Sequence, residues 1–266
     1  MLNFAMETAR DAGHLLLEKF DRGIKVEKKG DINLVTAADL ASEALIIERI
    51  KSHFPKHSIL AEESGNAVII GGENTWKWII DPLDGTTNYA HGYPCFAVTL
   101  ALEHDAEIVI GVTYDPTRNE LFAAERGKGA SLNNKPMRVS AAEDLGDALI
   151  VTGFPYDFKK RDDFARHLTE FLLRSRGVRR DGSAAIDLAY VACGRFDGMW
   201  EEGLNPWDMA AGVLLVEEAG GQVSGYDGSK FSIYSPPMLA SNGLIHSQMS
   251  AVLTGGHGGQ QQSRPS

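Results

Sequence analysis

The sequence predicts an α+β first half joined to an α/β second half. Three observations lead there. The N-terminal segments carry apolar residues at helical spacing. Between Phe96 and Glu125, β-rich segments follow one another with short connections, as antiparallel strands do. Beyond about Ser140, short apolar segments alternate with helical ones, the pattern of an α/β unit. The two lobes run over residues 1–140 and 141–254, and the polar, Gly-rich stretch 255–266 is expected to be a disordered tail.

Each element follows from local pattern. Ala5, Ala9, Ala12, Leu16 and Phe20 fall on one face of a first amphipathic helix, flanked by Leu17. A second helix starts near Thr36, with a stripe of Leu40, Ala44, Ile47 and Ile50 and Pro55 just past its end. Ser58–Glu62 is a short strand, followed by a loop through Gly65 and Gly71–Gly72. Trp76–Ile80 is a strand that stops at Asp81-Pro82, and Phe96–Glu103, Glu107–Tyr114 and Glu120–Glu125 are strands. In the second half, Ala148–Thr152, Gly177–Arg180, Met199–Glu201 and Met238–Ser241 read as strands. Asp163–Arg174, Ser183–Arg195, Pro206–Ala219 and Ser247–Leu253 read as helices. Pro206 opens its helix and Gly220-Gly221 closes it, the usual asymmetry.

Composition narrows the function. Of 266 residues, 43% are hydrophobic and 23% charged, the balance of a globular chain with a real core. A net charge of −10 argues against direct nucleic-acid binding, because phosphate backbones need cations. Two cysteines, Cys95 and Cys193, are too few for a disulfide framework and suit a reducing cytoplasm. Glu7, Arg10 and Asp11 interrupt the N-terminal apolar residues, so no signal peptide is expected, and no apolar run approaches a membrane span.

The informative stretch is Asp81-Pro-Leu-Asp-Gly-Thr-Thr-Asn88. Pro82 stiffens the chain, Asp84 and Gly85 turn it, and Thr86-Thr87 begin a helix. Asp81 and Asp84 on such a turn can face one point, and the N–H groups of Gly85, Thr86 and Thr87 can face the same point. The composite offers carboxylates to hard cations and amides to a phosphate. The same aspartates would also serve as plain turn and cap residues. Glu62 and Glu63 end another strand, and Asp208 begins a helix, where it would also favour the helix dipole.

Asp81-Pro-Leu-Asp-Gly-Thr-Thr resembles the metal-binding motif of the inositol monophosphatase family. Trp207-Asp-Met-Ala-Ala-Gly with Glu218-Ala-Gly-Gly221 resembles that family's second signature. Leu34-Val-Thr-Ala-Ala-Asp39 and Ala61-Glu-Glu-Ser64 match two further blocks in the same order, and the similarity runs from about Ala5 to Leu253. Gly182-Ser-Ala-Ala-Ile-Asp-Leu-Ala-Tyr190 is most similar to the bacterial, SuhB-type branch. One departure is Asn33, where the family's first block usually opens with Asp.

The resemblance implies a layered αβαβα sandwich, of the type shared with fructose-1,6-bisphosphatase. It implies Mg²⁺-dependent removal of phosphate from myo-inositol 1-phosphate or a related sugar-alcohol phosphate, by attack of water. By motif position, Glu62, Asp81 and the carbonyl of Leu83 would hold a first Mg²⁺. Asp81, Asp84 and Asp208 would hold a second, with Glu62 touching a weaker third. Asp39, Glu63 and Thr86 are the catalytic candidates, Asp39 and Thr86 orienting the water. Leu83, Asp84, Gly85 and Thr86 would meet the phosphate. Arg179, Ser183, Ala184, Glu201 and Asp208 would line the alcohol side. The resemblance also implies a homodimer.

Within the same fold, a fructose-1,6-bisphosphatase or a nucleotide 3′-phosphatase uses the same metal motifs. A different class is an accessory factor bound to transcription machinery, as some bacterial relatives are. The basic run Arg174, Arg176, Arg179 and Arg180 would permit a protein partner, or serve only as a solvated edge.

Overall fold

Helix α1 (Leu2–Asp21) buries Ala5, Ala9, Ala12 and Leu16, the stripe its spacing predicts. The structure is a computed structural model and describes residues 1–21, 26–29, 33–64, 75–154, 161–235 and 237–255. The loop expected through Gly65 and Gly71–Gly72, and the tail beyond Gly255, lie outside the described residues. Strands β1 (Val26–Lys29) and β2 (Asn33–Thr36) form a small antiparallel pair that the sequence pattern did not signal.

Helix α2 (Ala37–His53) starts where expected but turns a different face inward. It buries Ala38, Asp39, Ser42, Glu43, Ile46 and Ile50, while Leu40 is 55% exposed. The expected stripe is therefore rotated, and the reason is hydrogen bonding. The Ser42 hydroxyl donates to the Pro82 carbonyl at 2.8 Å, and Glu43 accepts the Glu63 N–H at 2.9 Å. Polar side chains satisfied in this way can occupy an inward face.

The larger sheet has seven strands in the order β3 (Ser58–Ala61), β4 (Trp76–Asp84), β5 (Ala97–His104), β6 (Glu107–Asp115), β7 (Glu120–Glu125), β8 (Ala130–Leu132) and β9 (Lys135–Pro136). Only β3 and β4 run parallel; the other neighbours are antiparallel, with short connections from β5 onward. Helix α3 (Thr86–Ala90) leaves the end of β4. The smaller sheet contains β10 (Leu149–Thr152), β11 (Gly177–Arg179), β12 (Gly198–Glu201), β13 (Gln222–Ser224) and β14 (Met238–Ser241), in the order β11-β10-β12-β14-β13. Strands β11, β10 and β12 are mutually parallel, and β14 is antiparallel to both of its neighbours.

The remaining helices are α4 (Arg161–Arg174), α5 (Ala184–Ala192), α6 (Pro206–Glu218) and α7 (His246–Leu253). Helices α1 and α2 cover one face of the larger sheet, and α5 and α6 fill the space between the two sheets. Helices α4 and α7 cover the outer face of the smaller sheet. The result is the expected αβαβα order. Because α6 is sandwiched, Met209 through Val216 are all buried. Each fully buried Leu or Val there contributes roughly 1.5–3 kcal/mol. Two glycines permit this density. A Cβ at Gly212 would lie 2.5 Å from the Leu188 side chain, and one at Gly111 would lie 2.7 Å from the Ala211 carbonyl oxygen. Among the described residues, no helix is long and apolar enough to cross a membrane.

Candidate active site

The Asp81–Asp84 stretch is a strand and not the turn that its sequence suggests. Strand β4 continues to Asp84 with a register shift, Asp81 opposing Thr99 and Asp84 opposing Ala97. Residues separated by an odd number of positions normally point to opposite faces of a strand. The bulge adds one residue on this side, so both carboxylates reach the same cleft. Pro82 brings no N–H to the ladder, which makes this the place where pairing can be interrupted. Gly85 then turns the chain with φ of 94°, and a Cβ there would sit 2.9 Å from the Cys95 carbonyl oxygen.

Asp208 approaches from the second half of the chain, in the first turn of α6, where its Oδ2 accepts the Asn205 N–H at 2.7 Å. Carboxylate oxygens of Asp81, Asp84 and Asp208 lie within 4.8 Å of one another. Each is held by its own partner. Asp81 Oδ1 accepts the Leu83 N–H at 2.9 Å. Asp84 Oδ2 accepts the Ala185 N–H at 2.8 Å and the Ser183 hydroxyl, so the N-terminal end of α5 grips it. Glu62, in the turn after β3, is hydrogen-bonded to Asp81. The next residue, Glu63, also lines the cleft, and Glu43 anchors its N–H and the Ser64 hydroxyl. Thr86 Oγ1 lies 3.2 Å from Asp39 Oδ1 and 3.0 Å from the Leu83 carbonyl.

The cleft holds about 220 Å³ and is lined by seven carboxyl groups but by one guanidinium, that of Arg180. The chemistry shows in the acidities. Burial, and then the charges of Glu63 and Asp84, push Glu62 up to about 7. Burial pushes Asp84 up to about 6, against the opposing pull of Ser183 and the α5 amides. Asp81 rises well above the usual carboxylate range through burial and the Glu62 charge, and Asp208 through burial and the Asp84 charge. Burial and mutual repulsion among the gathered carboxyl groups both favour their protonated forms. The donors lining the cleft are oxygens, with no His or Cys side chain among them. That set fits Mg²⁺ and does not suit zinc.

The side of the cleft expected to meet the alcohol is lined by residues from the second half of the chain. Glu201 ends β12, with burial and the Asp84 charge raising it to about 8. It fits because residue 153 is glycine, where a Cβ would lie 1.8 Å from Glu201 Oε1. Ser183 and Ala184 line the cleft, but the Ser183 hydroxyl donates to Asp84 and so positions a carboxylate. Arg179 does not line the cleft. It is exposed on β11, and its guanidinium reaches back to its own strand at Val178. Arg180, one residue further, lines the cleft and lies 4.8 Å above the Phe154 ring. The carboxyl ends of parallel strands are where ligands bind, and Gly153, Arg180 and Glu201 sit at those ends of β10, β11 and β12. That rule favours Arg180 over Arg179. Asp187 also lines the cleft, and sequence reasoning missed it. It lies four residues after Ser183, on the same helical face, which was the available signal. Arg174 and Arg176 are paired with Glu170 and Asp147, away from the cleft.

Comparison with known proteins identifies the family. The inositol monophosphatase family matches residues 1–256. The chain is 46% identical over 260 residues to the inositol-1-monophosphatase of Synechocystis sp. strain PCC 6803, covering 95% of this chain and 88% of that protein. It is 42% identical over 254 residues to the Nus factor SuhB of Escherichia coli K12, covering 94% of each. The crystal structure of the extragenic suppressor protein suhB from Bartonella henselae superimposes with a TM-score of 0.91 at 41% identity, covering 96% of this chain and 98% of that one. Motifs, layered fold and overall similarity agree, and the chain belongs to the inositol monophosphatase family.

Proposed function

We propose that this chain is a Mg²⁺-dependent phosphomonoester hydrolase acting on myo-inositol 1-phosphate or a related sugar-alcohol phosphate. One observation carries the reading: seven carboxyl groups face a cleft with a single cationic side chain. Such a set stays charged near neutral pH only with divalent cations beside it. Glu62, Asp81, Asp84, Asp208 and the Leu83 carbonyl would hold two Mg²⁺, with a weaker third near Glu62. When bound, the cations lower the pKa of a water and stabilise the leaving oxygen.

The chain's own residues do the rest. Thr86 and Asp39, already joined by a hydrogen bond, orient the attacking water, and Glu63, which also lines the cleft, assists. The N–H groups of Gly85 and Thr86 receive phosphate oxygens. Ser183 and the α5 amides keep Asp84 in place. Glu201 accepts hydroxyl groups of the alcohol, and the chain works as a homodimer in the cytoplasm. Chelation should abolish turnover, Mg²⁺ should restore it, and Ca²⁺ should restore little, because its looser shell misplaces the water. Full activity after chelation overturns the reading. A panel of esters separates polyol phosphates from fructose 1,6-bisphosphate and nucleotide 3′-phosphates.

A second reading takes up the name Nus factor carried by the Escherichia coli relative. It would place this chain in a transcription complex alongside its hydrolase activity. An Asp84→Asn chain that still replaces that relative in cells would favour it.

A further inference from the structure

The Asp187 carboxyl has no task in the account so far. It sits in the first turn of α5 and is 1% exposed. It lines the cleft, and its Oδ1 is buried with no hydrogen-bond partner. Glu201 Oε2, on the same wall, is likewise buried and unpartnered. The two belong to packed elements, α5 and β12, and stand outside the Asp81–Asp84–Asp208 cluster. The nearby cation, Arg180, is stacked on Phe154. Burying an acceptor without a donor is costly, so two of them in one wall point to a ligand that brings two donors.

We propose that Asp187 is a specificity-determining residue: with Glu201 it forms a two-carboxyl cradle for neighbouring hydroxyl groups of a polyol phosphate. Asp187 Oδ1 takes one hydroxyl and Glu201 Oε2 another. A plain aryl or alkyl phosphate brings no such donors and leaves both oxygens unpaired. The proposal rests on the phosphatase reading above. Its rival is structural: an acid in a helix's first turn favours the helix dipole, and its loss would weaken the fold.

The test is Asp187→Leu, close in shape and without polar atoms. Its kcat/KM is measured on myo-inositol 1-phosphate and on 4-nitrophenyl phosphate, with a metal-free melt alongside. The expected result is a loss of about tenfold or more on the polyol ester, less than about threefold on the aryl ester, and a melt unchanged or higher. Asp187→Asn, which keeps one acceptor oxygen, should recover part of the polyol selectivity. Equal losses on both esters, or a lower melt with activity falling in proportion, overturn the proposal. If Asp187→Leu does not fold, Asp187→Asn decides: a polyol-selective loss supports the proposal, and none overturns it. Wild-type protein that shows no preference for the polyol ester overturns the functional reading itself, and this proposal with it. Wild-type preference with no selective loss in the variants overturns this proposal alone.

Discussion

The two ends of the cleft treat their carboxyl groups differently. At the cluster end, Asp81, Asp84 and Asp208 each accept a backbone N–H, and Glu62 is bonded to Asp81. At the alcohol end, Asp187 and Glu201 each keep a buried oxygen with no partner. The first arrangement fixes the positions of charges that a cation must neutralise. The second leaves two buried acceptor oxygens that, on the proposed reading, a substrate would fill. On the proposed reading, position is built in where charge would do the work, and open acceptors are kept where recognition would do it.

The largest expected effect lies at the cluster end. Asp84→Asn keeps the shape and removes the charge, and should cost about 3 kcal/mol or more in the barrier. Its metal-free melt should barely move, or rise, because like-charge repulsion is relieved. If the variant unfolds and activity falls only in proportion, Asp84 is structural and the contrast collapses.

A smaller effect concerns both ends and follows from pH. Glu62 and Asp84 are raised from ordinary values of 4.5 and 3.8 to about 7 and about 6, and Glu201 from 4.5 to about 8. An unfolded chain releases these protons first, so the folded state binds more of them across this range. Stability without metal should therefore fall as pH rises from 5 to 8. Mg²⁺ added at pH 8 should return the share lost at the cluster and leave the share of Glu201. Thermal melts over this range with and without Mg²⁺ check it, and a metal-free melt that rises with pH contradicts it.

The smallest effect isolates the alcohol end. Glu201→Gln should lower kcat/KM for myo-inositol 1-phosphate about tenfold and change an aryl ester much less. Glu202→Gln is the control, since Glu202 does not line the cleft. Equal losses on both esters, or a larger effect at Glu202, would reopen the choice among sugar phosphates.

How much of this was legible in the sequence depended on what each residue is buried against. Helix α1 packs hydrocarbon on hydrocarbon, and its apolar period matched its buried face. Helix α2 spends its inward face on Asp39, Ser42 and Glu43, so its apolar period pointed the wrong way. Strands β8, β9 and β13, of three, two and three residues, are too short to carry a period. The carboxylate cluster was visible because its residues sit in compact motifs. The bulge in β4 was not, because a Pro-Asp-Gly-rich stretch reads as a turn unless the partner strand is known. Arg180 and Asp187 needed knowledge of which strand ends and which helical face meet the cleft, and those are properties of the assembled sheet.

The contact at Gly111 carries a consequence of another kind. Strand β6 meets α6 there at a distance that admits no side chain, and Asp208 lies one turn earlier on that helix. Residue 111 thus works as a shim between a plate that bears Asp81 and Asp84 and a rod that bears Asp208. A single methyl group inserted at this seam would tilt the rod and reset the gap between ligands it never touches. Lineages of such a protein could retune cation preference from this hidden joint, and inspection of the acidic residues alone would register no change.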